Sequence, residues 1–118
     1  MSELDQPPFA SLEQLFSIVF QLDDELRVKA ASKVALAHMP WLADRPQLTD
    51  VFDVARPRGI ANADDVLIRS DQLFLMTAKD GSFAVRGQIA PFIRNGKRVL
   101  VFCGAPWMLW INRELPDL

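Results

Sequence analysis

The chain holds one histidine and one cysteine, His38 and Cys103, and chemistry would have to start from these. A histidine can ligate haem iron or a metal, but it then needs an apolar pocket and a partner for its second ring nitrogen. The other reading puts His38 in the last turn of a helix that Pro40 ends, where an imidazole suits the negative dipole end. Cys103 falls on the apolar side of an alternating strand and reads as a small core residue. No His-Glu-x-x-His, Gly-x-Ser-x-Gly or Cys-x-x-Cys occurs in the sequence. Gly96-Lys97 is similar to the end of a phosphate loop, but the glycine such a loop needs five residues earlier is Pro91. Spacing alone does not exclude a catalytic triad, yet one histidine and one cysteine leave little material for one. The expectation is a chain that is not an enzyme, with no catalytic, cofactor-binding or metal-binding residue.

Other residues read as contact groups. Gly87, between Arg86 and Gln88 in a strand, permits close backbone approach or a bulge. Arg86 and Gln88 share a face, from which they could bond neighbouring loops or cross a dimer boundary. Trp107, Trp110 and Ile111 fit one helical face beyond the last strand, either as core or as an aromatic anchor for a partner subunit. Leu12, Leu15 and Phe16 could join a packed or swapped N-terminal segment.

The totals bound what must position these groups. At 118 residues the chain suits one domain. It is 50% hydrophobic and 24% charged, an ordinary globular balance. The net charge of −2, without any basic run, gives no support for nucleic-acid binding. A single cysteine fits a reducing compartment. The acidic start, Met1-Ser2-Glu3-Leu4-Asp5, is the wrong chemistry for a signal peptide. No apolar run approaches the ~20 residues needed to span a bilayer. Cytoplasmic localisation, with no membrane or nucleic-acid partner, is expected.

Pro7-Pro8 closes a short leader, and Ser11-Leu12-Glu13-Gln14 has the form of a capping box opening one or two helical turns. Phe16, Ile18, Phe20 and Leu22 alternate as a strand, Asp23-Asp24-Glu25 turns, and Leu26, Val28 and Ala30 alternate in a second strand. Residues 32–70 read as short helices. Ser32 caps one that runs to Met39. Leu48, Val51, Phe52 and Ala55 share a helical face, and Asn62, with Asp64 and Asp65, starts a helix that turns Val66, Leu67 and Ile68 inward. A strand then covers Gln72–Lys79. Asp80-Gly81 and Asn95-Gly96 both favour two-residue hairpin turns. Between them Phe83, Val85, Gly87, Ile89, Pro91 and Ile93 share one face of a long strand, and Lys97–Gly104 completes a three-stranded meander. The order predicts an α+β fold, PAS-like, with a five-stranded antiparallel sheet and short helices on one face. Such an architecture encloses an apolar pocket, here lined by Trp41, Phe52, Leu67 and Phe74.

Four segments carry a more specific resemblance. They are Leu15–Val28; Leu48-Thr49-Asp50-Val51-Phe52 with Arg56-Pro57; Val85-Arg86-Gly87-Gln88-Ile89; and Val101-Phe102-Cys103-Gly104-Ala105-Pro106-Trp107-Met108. In order and spacing the chain resembles the haem-NO-binding-associated (H-NOXA, or HNOBA) domain, a PAS-like module of soluble guanylate cyclases and bacterial signalling proteins. Ile18 stands where that family usually has histidine, and Ser32 where it has glycine. The resemblance implies residues 1–10 as a flexible leader, 11–113 as the domain, and 114–118 as the start of a connector, the whole cut from a longer protein. It implies a homodimer that relays signal from an upstream haem gas-sensing domain to a downstream nucleotide cyclase, histidine kinase or diguanylate cyclase. Arg86, Gly87, Gln88, Gly104, Pro106 and Trp107 are the motif residues it picks out, and the haem belongs to the neighbouring domain. The alternative is a PAS sensor with a ligand pocket of its own.

Overall fold

The computed structural model describes residues 9–107. Helix α1 (Phe9–Leu15) leads into β1 (Ile18–Leu22), which turns back as β2 (Val28–Ala31). Helix α2 (Lys33–His38), a 3-10 turn (Pro40–Asp44) and α3 (Leu48–Val51) follow, then β3 (Phe52–Arg56) and α4 (Ala63–Ile68). The chain finishes as the meander β4 (Phe74–Ala78), β5 (Ala84–Arg94) and β6 (Lys97–Pro106). The six strands form one sheet in the order β2-β1-β6-β5-β4-β3, with every neighbouring pair antiparallel. The class is α+β, as expected.

Local chemistry explains the turns. Asp23 Oδ1 accepts from the amides of Glu25 (2.9 Å) and Arg27 (3.0 Å), fixing the β1–β2 connection. Leu26 adopts a left-handed φ of 61° there, and its side chain is buried in the core, which holds the conformation. Asn95 (φ 53°) and Gly96 (φ 77°) make the two-residue turn that joins β5 to β6. Asp80-Gly81 behaves differently. The Ala78 amide donates to the Phe83 carbonyl, so four residues span the gap rather than two. The Ser82 hydroxyl and amide both donate to Asp80 Oδ1 and hold its carboxyl below the usual range.

Two helix starts follow the expected caps. Ser32 Oγ accepts from the Ala35 amide, and Asn62 Oδ1 accepts from the Asp65 amide while Asp65 Oδ2 accepts back from Ala61. The first helix does not: Ser11 is its third residue, not its cap, and Phe9 and Ala10 of the assigned leader are already helical.

Three expectations need correction. The sheet has six strands, because the 48–55 segment makes a single turn of helix and then the edge strand β3. Phe52, Val54 and Arg56 alternate as well as Leu48, Val51 and Phe52 repeat, and β4 offers a ladder that an isolated helix of this length cannot match. The helices do not all lie on one face, since α1 packs on the other through Leu12. Ile68 points outward, 74% exposed, while Val66 of the same helix is buried.

Alternation along the strands sets two faces. The inner face carries Ile18, Phe20, Leu22, Phe74, Met76, Val85, Ile89, Leu100 and Phe102, covered by α2, the 3-10 turn, α3 and α4. At its centre Phe20 stacks on Phe102 (4.8 Å) and Phe52 (6.0 Å), and Trp41 meets Phe52 edge-on at 5.5 Å. Gly87 and Gly104 face each other across β5 and β6, and a Cβ on either would strike the opposite backbone, at Cys103 and Arg86 respectively. The close approach expected of Gly87 is therefore real, and Gly104 shares it.

Candidate functional site

The outer face of the sheet carries several of the residues expected to make contacts. Val19 and Val101 lie side by side under Leu12 of α1, with Phe92, Val99 and Cys103 half-covered around them. Helix α1 is held over this face by its own side chains and by Glu13, whose carboxylate accepts from the Lys33 amide at the start of α2 (3.1 Å). Ser32 ties the same region together: its hydroxyl donates to the Ser17 carbonyl (3.1 Å) and accepts from the Val19 amide (3.2 Å). In the same helix and just after it, Leu15 is 75% and Phe16 39% exposed.

Of the expected interface residues, Leu12 is buried in this cluster, while Leu15 and Phe16 are exposed. Trp107 is half-buried and extended rather than helical; its amide donates to the Ala84 carbonyl (2.9 Å), continuing the β5–β6 ladder. Trp110 and Ile111 lie outside the described residues. Arg86 and Gln88 are exposed together on the outer face, opposite Ala105 and Cys103 of β6, with Gly104 and Pro106 turned to the inner side.

Cys103 is not in the main core as its strand position suggested. It sits half-buried beside Val19 and Val101, where partial burial pushes its thiol pKa up. His38 closes α2, as the helix-end reading required, and its exposed ring stacks on Phe83 (4.6 Å, 10° between planes). Among the described residues no three His, Cys, Asp or Glu side chains converge to hold a metal. Trp41, Phe52, Leu67 and Phe74, expected to line a pocket, belong to one packed cluster with Phe52 and Phe74 fully buried.

A second feature escaped the sequence reading. Arg56, Arg58 and Arg69 line an open cleft at the β3–β4 edge together with Trp107. Arg56-Pro57-Arg58 was the available signal, two like charges around a proline, but nothing in the sequence brings Arg69 or Trp107 to it. Among the described residues no helix is long and apolar enough to cross a membrane. Compared with known proteins, the chain matches no family model and no curated protein sequence.

Proposed function

We propose that the chain is a non-catalytic PAS-like signalling module, similar to the H-NOXA domain, that pairs with a second copy of itself and relays conformational change. Its neighbours in the parent protein would be an upstream haem gas-sensing domain and a downstream cyclase or histidine kinase. The observation that carries this reading is the outer sheet face, apolar and half-covered by one short helix, together with the exposed Leu15 of that helix and Phe16 just after it. The strand order β2-β1-β6-β5-β4 supports it too, with β3 as an added edge. A sheet floor under helices on one side and an apolar, thinly covered back on the other is suited to transmitting motion through a dimer. A ligand pocket between helices and sheet would instead have to open among Trp41, Phe52 and Phe74, which touch the packed core here.

Sedimentation equilibrium tests the pairing. The chain is expected to form a dimer, and the double substitution Leu15→Glu with Phe16→Glu to return it to monomer while changing stability by less than about 0.5 kcal/mol, as befits exposed positions. A chain that stays monomeric at high concentration, alone and extended by downstream helix, overturns the reading.

A further inference from the structure

The cleft at the β3–β4 edge is built differently from the rest of the surface. It has a volume of about 1080 Å³ and is lined by Arg56, Arg58 and Arg69 without one Asp or Glu among its lining residues. The chain as a whole carries a net charge of −2, so this concentration of positive charge runs against its overall balance. Three of the other described arginines are bonded within the fold by their side chains, while Arg45 and Arg86 are not. Arg27 donates to the Arg45 carbonyl (2.9 Å), Arg94 to Gln21 (3.3 Å), and Arg98 pairs with Asp24 (2.9 Å). Among the described residues none of the three cleft arginines has a side-chain hydrogen bond or an ion pair. A concavity lined by one sign of charge raises the local concentration of the opposite ion.

The groups are held from separate elements. Arg56 sits opposite Leu75 just past a register shift in β3, and Arg69 is the residue that caps α4. Arg58 precedes Gly59, whose φ of 81° turns the chain there. Trp107 is fixed by its bond to Ala84. Guanidinium forks match the two oxygens of a carboxylate or phosphate, and an indole offers a face to a planar ring.

We propose that this cleft binds a small planar organic anion, gripped at its phosphate or carboxylate by Arg56, Arg58 and Arg69 and stacked on Trp107. The site shares Trp107 with the expected interface residues but does not depend on the dimerisation reading, which rests on the outer face around Leu12.

Backbone and indole NMR titration of the full chain tests it with four probes: AMP, benzene-1,3,5-tricarboxylate, adenosine and inorganic phosphate. AMP or the tricarboxylate is expected to bind saturably at or below about 1 mM, moving the amides of residues 56–58 and 69–73 and the Trp107 indole. Which of the two binds more tightly separates a phosphate ligand from a carboxylate one. Adenosine, lacking charge, and phosphate, lacking a ring, are expected to bind at least about tenfold more weakly, the loss of one charge-assisted bond or one stacking contact. Arg58→Gln and Trp107→Leu should each weaken the preferred anion about tenfold, and salt near 300 mM should weaken it further. No saturable binding of either anion overturns the proposal. So does equal binding of phosphate and AMP, or unchanged affinity in the folded Arg58→Gln chain.

Discussion

Val19 and Phe20 are consecutive in β1, yet they face two different finishes of the same sheet. Phe20 lies in a stack of three phenylalanines beneath α2, the 3-10 turn, α3 and α4. Val19 lies beneath one seven-residue helix, beside side chains that are only partly covered. Both are fully buried, so burial alone does not distinguish them. The difference is what surrounds them: the inner face is closed by large side chains from many elements, the outer by fewer residues, mostly valines, and a single helix. Large-residue packing is concentrated on the first and a thinly covered apolar surface on the second, a division that would let the proposed second copy bind without disturbing the core.

Truncation should break this symmetry most clearly. Phe20→Ala removes the middle ring of the stack and is expected to cost about 3–5 kcal/mol in urea unfolding. Leu12→Ala removes the centre of the outer cluster and is expected to cost no more than about 2 kcal/mol, because α1 can settle onto the valines or fray. Equal losses would mean that α1 is as integral to the fold as the inner helices.

Next in size is the seam where the two faces share backbone. Gly87→Ala and Gly104→Ala each push a methyl against the opposite strand, and each is expected to cost about 1–3 kcal/mol by overpacking. Neither touches the outer valines, so the pair should loosen the β5–β6 contact without exposing more apolar surface behind it. Ser32→Ala follows. The buried hydroxyl caps α2 and also serves the Ser17 carbonyl and the Val19 amide, so about 1–3 kcal/mol should be lost in thermal unfolding. Its loss should reach both faces at once, seen as faster amide exchange at Val19 and at Ala35 together.

How far the sequence disclosed this arrangement follows the physics of each element. Alternation places five of the six strands within a few residues, because period two is local and strong. Caps at Ser32 and Asn62, and the Asn95-Gly96 turn, were legible because each is set by a short-range hydrogen bond or φ preference. The sixth strand was not, since Leu48–Arg56 satisfies both periods and only the free edge of β4 decides between them. The outer cluster was half legible: Leu12, Leu15 and Phe16 stood out as apolar, but which sheet face α1 would cover depends on tertiary packing. Cys103 was misplaced for the same reason, as alternation gives two faces without saying which becomes the core. The arginine cleft was hidden, because residues 56, 58, 69 and 107 meet only through the fold.

The smallest expected effect is chemical, and it reads the outer face directly. Cys103 sits there half-buried, and burial disfavours its thiolate, so its pKa stands above the ordinary thiol value. Since the folded form holds the proton more tightly, this thiol's stabilising contribution is complete below the unfolded pKa and is lost as pH rises through the folded one. Partial exposure keeps that contribution small, so the rate of alkylation is the better readout. The thiolate is the species that attacks iodoacetamide, displacing iodide, so Cys103 should react more slowly at pH 8 than a free thiol, catching up only as pH climbs past the ordinary range. If the outer face pairs with a second copy, dilution should speed the reaction, and Leu15→Glu with Phe16→Glu should abolish the concentration dependence. A rate that is slow but independent of concentration would leave burial by α1 alone as the cause. The outer face would then be a covered surface of the monomer, and the contrast with the inner face one of degree only.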